Sequence, residues 1–281
     1  LKADGPSLYS TTDLATLVMR MKENNPDRVI YLADARQSMH FIQVFRCARK
    51  TGIVPDTTEL VHIGFGTMNG KDGKPFKTRD GGVMRLEYLL KEIDDEMLNK
   101  IKENQKEKEN LNIDEAEAEQ TAKTVALAAV KYGDLSNQAS KDYIFDIDRF
   151  TSFEGNTGPY ILYTIVRIKS ILSKYEAKGG DISALKDAIM PAVNAGQKNL
   201  MLSLAKFNAT IESAYEESAP HKICAYIYEL ANAFNGFYHD TKILSEENEE
   251  LKKSYISLLV LTKEILEACI DMLGFSAPDR M

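Results

Sequence analysis

Arg28-Val29-Ile30-Tyr31-Leu32-Ala33-Asp34 is a short, nearly all-apolar run with β-branched residues, the pattern of a strand buried on both faces. Residues 36–50 follow with helical spacing, Met39, Ile42, Val44, Phe45 and Ala48 marking one apolar face. Leu60-Val61-His62-Ile63-Gly64-Phe65-Gly66 is a second strand candidate. Strand, helix and strand at these lengths suit a right-handed parallel unit, hence an α/β sheet. One such unit is too little sheet for a domain, so the rest is expected on a further N-terminal piece or a partner. The opening Leu1-Lys2-Ala3-Asp4-Gly5, with neither Met nor an apolar leader, reads as a cut within a longer chain.

Beyond the second strand, Gly70, Gly73, Gly81 and Gly82 stand among Lys71, Lys74, Lys77 and Arg79, which predicts a mobile cationic loop. It is not a P-loop, because no G-x-x-x-x-G-K-[ST] occurs. No convincing strand follows residue 84. Helices are predicted over 84–110 and 114–131, the second with an acidic first turn. After Gly133 the pattern stays helical. Thr157-Gly158-Pro159 opens a helix over 157–177, Pro191 opens one to about 216, and Pro220 opens one to about 239. The last runs over 246–273, where Gly274 stops it. A bundle of four or five helices is the natural architecture.

The chain has 281 residues, 44% hydrophobic and 27% charged, a composition that sustains a packed core. No apolar run reaches the roughly 18–20 residues that span a bilayer. The net charge is −7, with 20 basic and 22 acidic side chains in residues 1–135 and 15 and 20 in residues 136–281. Composition alone therefore disfavours a nucleic-acid partner, and only a local patch can overrule it. Cys47, Cys224 and Cys269 form no C-x-x-C pair, and the four histidines lack metal-ligand spacing. All three cysteines are read as buried free thiols, and no metal is expected.

Three groups of residues carry chemistry. Tyr9 and Asp13, with Gln37 just past the first strand, can hold a cationic ligand, a guanidinium best matching a bidentate carboxylate. Alternatively, Asp13 caps a helix over 14–23 and Tyr9 simply packs. The cationic loop can clamp a pyrophosphate as charge develops, or it is a long turn with solvated lysines. On helix 157–177, Ile161, Ile165, Ile168, Leu172 and Tyr175 form the buried stripe, while Tyr160, Tyr163, Arg167 and Lys174 share a neighbouring face. Aromatics beside cations suit stacking on unpaired bases, and they equally suit packing beneath neighbouring helices.

Read in order, Tyr9-Ser10-Thr11-Thr12-Asp13-Leu14-Ala15, Asp34-Ala35-Arg36-Gln37-Ser38-Met39-His40-Phe41, Gly64-Phe65-Gly66 and Gly73-Lys74-Pro75-Phe76-Lys77-Thr78-Arg79 resemble the arginyl-tRNA synthetases. So do Asp146-Ile147-Asp148-Arg149, Ser152-Phe153-Glu154-Gly155-Asn156-Thr157 and the closing Leu273-Gly274-Phe275-Ser276-Ala277-Pro278-Asp279-Arg280-Met281, so the likeness covers essentially the whole chain. The resemblance implies an α/β plus all-α protein: a partial Rossmann-type parallel sheet in residues 1–135, the second half of a class I catalytic domain, and a helical anticodon-binding bundle in residues 136–281. It implies an ATP-dependent arginine–tRNA ligase working through an arginyl-adenylate, cytoplasmic and monomeric, with Mg²⁺ arriving with ATP and no protein-bound metal. Tyr9, Asp13 and Gln37 are implied to bind arginine, and Phe65, Gly66, Lys77, Thr78 and Arg79 to bind ATP. Lys77 and Arg79 are the implied catalytic cations, and Tyr160, Tyr163, Arg167 and Met281 would meet tRNA. Thr78 departs from the class K-M-S-K-S pattern at its second lysine, leaving Lys74, Lys77, Arg79 or a lysine on the missing half as candidates for pyrophosphate. His62-Ile63-Gly64-Phe65 only approximates the class H-I-G-H signature: it lacks the second histidine and a following helix, so His62 is read as a strand residue. Without that signature the fragment alone is expected to be inactive. The rival readings are another class Ia synthetase such as the cysteinyl enzyme, or a non-catalytic tRNA-binding or helical interaction protein.

Overall fold

The computed structural model describes residue 5 and residues 7–74, 85–107, 114–185 and 188–281. They divide into two compact units, Leu1–Asn69 with Ala139–Ile144, and Gly70–Gln138 with Phe145–Met281.

In the first unit, helix α1 (Tyr9–Asn24) precedes strand β1 (Arg28–Asp34). A short 3₁₀ turn, Ala35–Gln37, leads into helix α2 (Ser38–Lys50), and strand β2 (Glu59–Phe65) returns parallel to β1. Arg28 faces Glu59 at one end of the ladder and Asp34 faces Phe65 at the other. The alternation of a strand then decides burial. Val29 is buried and Tyr31 half-buried against Leu17 of α1, Val44 and Ala48 of α2, and Val54. Ile30 and Leu32, pointing the other way, are 47% and 68% exposed. Within this chain only one face of the strand is covered, because α1 and α2 pack on the same side. Cys47 also departs from expectation: it lies on the exposed side of α2.

Two very short strands, β3 (Met68–Asn69) and β4 (Tyr143–Ile144), pair in parallel, correcting the expectation of no strand after residue 84. Two residues are too few to leave a period of 2 in the sequence.

The second unit is helical among its described residues. Helix α3 (Leu86–Glu107) packs on helix α4 (Glu115–Leu135), whose cap Asp114 accepts the backbone N–H of Glu117 at 2.8 Å. The single turn α5 (Ile147–Phe150) precedes α6 (Gly158–Ala177), capped by Thr157 as its sequence predicts. The helix expected from Pro191 to 216 is instead two, α7 (Ala195–Ala205) and α8 (Phe207–Glu216). Asn194 accepts the Gln197 N–H at 2.8 Å and so sets the start at 195, while Lys206 ends α7 and begins α8. Helices α9 (Pro220–Asp240) and α10 (Glu249–Met272, capped by Asn248) follow the predicted spans closely. Five helices longer than a single turn, α6 to α10, therefore fill the described part of 136–281, within the four or five expected. The predicted stripe Ile161, Ile165, Ile168, Leu172 and Tyr175 is buried throughout, with α6 packed on α4, α9 and α10. Cys224 and Cys269 are buried as expected, and burial pushes both thiols up to about 12. No helix among the described residues is long and apolar enough to cross a membrane.

Candidate functional site

Asp34, Arg36 and Gln37 lie at the carboxyl end of β1, the place where parallel sheets hold ligands. Asp34 closes β1 by accepting the Arg36 backbone N–H at 2.8 Å and the Arg36 Nε–H at 2.9 Å, with Nη2 on its other oxygen at 2.5 Å. These bonds to Arg36 hold the Asp34 carboxyl down to about 2. They also turn the chain into the 3₁₀ segment that leaves Gln37 exposed at the entrance of α2.

Helix α1 begins at Tyr9, with Leu8 extended before it. Asp13 therefore lies inside the helix and is no cap, which removes the capping alternative for 14–23. Tyr9 and Asp13, four residues apart, share one helix face. Tyr9 is 88% exposed. The Asp13 carboxylate, partly exposed, takes a hydrogen bond from His40 Nε2 at 2.6 Å. His40 lies in the first turn of α2, three residues after Gln37, so this bond ties α1 at Asp13 to the start of α2. Sequence reasoning passed over His40, although its spacing from Gln37 places both on one face.

Phe65, opposite Asp34, is 42% exposed. At Gly66 a Cβ would fall 2.4 Å from the Lys141 carbonyl carbon, and the Gly66 N–H donates to the Ala139 carbonyl at 2.8 Å. The Thr67 N–H is taken by Asp142 at 2.6 Å. Backbone thus passes so close to Gly66 that only glycine fits. Behind this end, Tyr31 and His62 are opposite in register, and their Oη and Nε2 are buried without a hydrogen-bond partner among the described residues. Burial raises the Tyr31 phenol, and Phe41 stacks on the His62 ring at 4.6 Å.

Lys77, Thr78 and Arg79 lie outside the described residues. Within the second unit, Lys71 is not a free loop cation: its Nζ meets Asp146 at 3.0 Å and Asp148 at 2.8 Å. Tyr160, Tyr163 and Arg167 do come together. The Tyr160 hydroxyl donates to Asn232 Oδ1 at 2.7 Å and accepts from Asn235 Nδ2 at 2.8 Å. Arg167 donates from Nη1 to Asn235 Oδ1 at 2.7 Å, and its guanidinium lies 4.7 Å from the Tyr163 ring centre and 5.6 Å from that of Tyr238. Asn232, Asn235 and Tyr238 of α9, unnoticed in the sequence, complete this face. Met281 is half-buried at the end of a tail pinned by Arg280 to Glu117, at 2.6 and 2.7 Å, and by Asp279 to Lys169, at 3.2 Å.

Residues 1–147 match the family described as tRNA synthetases class I (R), catalytic domain, and residues 161–281 match the DALR anticodon binding domain. This chain belongs to the arginine-specific class I tRNA synthetase family. An arginine–tRNA ligase of Agathobacter rectalis is 99% identical over all 281 residues, which make up 47% of that protein. One from Alkaliphilus oremlandii is 55% identical over the whole chain, covering 46% of its length. The chain thus spans about half the length of the curated relatives it matches. Among solved structures, arginyl-tRNA synthetase from Plasmodium falciparum superimposes on all of this chain and 46% of its own, with a TM-score of 0.81 and 28% identity. The Thermus thermophilus arginyl-tRNA synthetase shares the fold at a TM-score of 0.81 and 23% identity, over all of this chain and half of its own.

Proposed function

We propose that this chain supplies the arginine- and ATP-handling second half of a ligase's catalytic domain, residues 1–135, and its anticodon-binding domain, residues 136–281. The ligase joins the arginine carboxylate to the α-phosphorus of ATP, releases pyrophosphate, and passes the arginyl group to the 3′ end of its tRNA. ATP enters as its Mg²⁺ complex, as substrate, and the protein works as a cytoplasmic monomer without a metal of its own. Its power lies in positioning and charge stabilisation, since the reaction needs no protein nucleophile. Tyr9, Asp13 and Gln37 bind arginine, with Asp13 facing the guanidinium. Phe65 and Gly66 line the adenosine side. Lys77 and Arg79, with Thr78 between them, act on the departing pyrophosphate. Tyr160, Tyr163, Arg167 and Met281 belong to the tRNA-facing side. The Ile30–Leu32 side of the sheet is where the relatives' remaining half would pack.

The observation that carries this reading is the partly exposed carboxylate of Asp13, held at the carboxyl end of the strands one helical turn from exposed Tyr9. Asp13→Asn in the full-length ligase removes one charge-assisted pair while keeping its shape. Arginine kcat/KM is expected to fall by a factor of tens to hundreds, roughly 2–4 kcal/mol, with the KM for tRNA nearly unchanged. The 281-residue chain alone is expected to give no arginine-dependent ATP–pyrophosphate exchange. Unaltered arginine kinetics in the variant would defeat the assignment of Asp13.

A further inference from the structure

The bond between Asp13 and His40 joins residues 27 positions apart on two different helices, and no regularity of either helix requires it. A carboxylate only accepts, so the proton sits on His40 Nε2, which donates to Asp13 Oδ2. The imidazole is itself fixed: it is about two-thirds buried and meets the Phe41 ring edge-on, with centroids 5.2 Å apart and planes at 76°. Phe41 is buried, stacked on His62 and packed against Tyr31 at 4.9 Å, so a rigid aromatic wall lies behind His40. A free aspartate on a helix surface would sample several rotamers. Here one oxygen is tied to a ring that rests against Phe41.

Each carboxylate oxygen has two acceptor positions. With Oδ2 holding His40 through one of them, Oδ2 keeps a second. Oδ1 has no hydrogen-bond partner among the described residues. Both oxygens can therefore still accept from a two-pronged guanidinium, whose planar fork demands a correctly aimed partner. We propose that His40 is a positioning residue for arginine: by donating to Asp13 it sets the carboxylate plane in which the guanidinium docks. This rests on Asp13 being the arginine partner, and it adds a second residue, contacting Asp13 rather than substrate, to the determinants of specificity.

The test is a double-mutant cycle in a full-length ligase containing this chain. Arginine, ATP and tRNA kinetics would be measured alongside thermal melts. His40→Ala is expected to raise the KM for arginine roughly tenfold, with kcat and the KM values for ATP and tRNA within about twofold, the sign of lost uniform binding. His40→Gln, which keeps an N–H donor, is expected to recover most of that loss. In an Asp13→Asn background, His40→Ala is expected to add little, because the carboxylate it aims is gone. An unchanged arginine KM in His40→Ala, or an equal further loss in the Asp13→Asn background, would overturn the positioning role and leave Asp13 as ligand. Normal arginine kinetics in Asp13→Asn would instead defeat the underlying reading of the pocket. Equal losses for arginine, ATP and tRNA with early melting in both His40 variants would show a purely structural bond and would also overturn the proposal.

Discussion

Tyr160 and Arg167 hold the α6–α9 contact and, in the proposed function, also face tRNA. The Tyr160 hydroxyl both donates and accepts within the α6–α9 contact, and that contact fixes its ring. Removing the oxygen strands Asn232 and part of Asn235, so Tyr160→Phe is expected to lower unfolding free energy by about 1 kcal/mol in urea titrations. Its affinity for tRNA should stay within about twofold of the parent. Arg167 differs because a guanidinium has five N–H donors, and Asn235 takes a bond from Nη1. Its remaining edge suits a phosphate. Arg167→Ala is therefore expected to weaken tRNA binding and to reduce the slope of log affinity against log salt by about one unit. A salt slope equal to the parent's would remove Arg167 from the proposed tRNA face.

Among the elements, helix α6 shows how a start signal and a close approach reinforce each other. Thr157 accepts the Tyr160 N–H at 3.2 Å and donates to the Ser152 carbonyl at 2.6 Å, which fixes where the helix begins. Gly158 then passes so near α4 that a Cβ would lie 2.3 Å from the Ala128 carbonyl oxygen. Gly158→Ala must push backbone aside and is expected to cost about 1–3 kcal/mol, read as a lower urea midpoint at unchanged m. Thr157, Pro159 and the Ile161–Leu172 stripe were legible in the sequence because caps and helical periods are local. So were β1 and α2. The break at Lys206 was not, since nothing in Leu204-Ala205-Lys206-Phe207 resists helix. The two-residue β4 carries no period at all. Asp13 was visible as a candidate, yet its bond to His40 was not, and neither were the Tyr160 bonds to α9, 72 and 75 residues away. Such pairs exist only once helices pack, and no spacing within either helix records them.

For the molecule as a whole, the exposed and buried titrating groups pull on stability with different strength. The carboxyls held below their ordinary range, Asp34, Asp148, Asp181, Glu217 and Glu249, are drawn down mainly by hydrogen bonds, to Arg36, Lys71, Ser183, Lys222 and Lys252 in turn, and all lie at the surface. Solvent screens such contacts, so they give only a shallow loss of stability as pH falls. The alkaline side is steeper. Burial raises the phenols of Tyr132, Tyr226 and Tyr255 and pushes the Cys224 and Cys269 thiols up to about 12. An unfolded thiol titrates near about 8.5, so above that pH the unfolded chain releases protons that the folded chain keeps. The stabilisation is whole below about 8.5 and is lost as pH rises toward 12. Melting temperature is accordingly expected to fall between pH 8 and pH 10.5. The growing negative charge of a chain already at −7 acts in the same direction and has to be separated out. The variant carrying both Cys224→Ala and Cys269→Ala does so, because surface charge repulsion is the same in its folded state. Its melting temperature starts lower, from lost core volume, and should decline less steeply with pH. A slope identical to the parent's would assign the alkaline loss to charge repulsion and the phenols rather than to the two buried thiols.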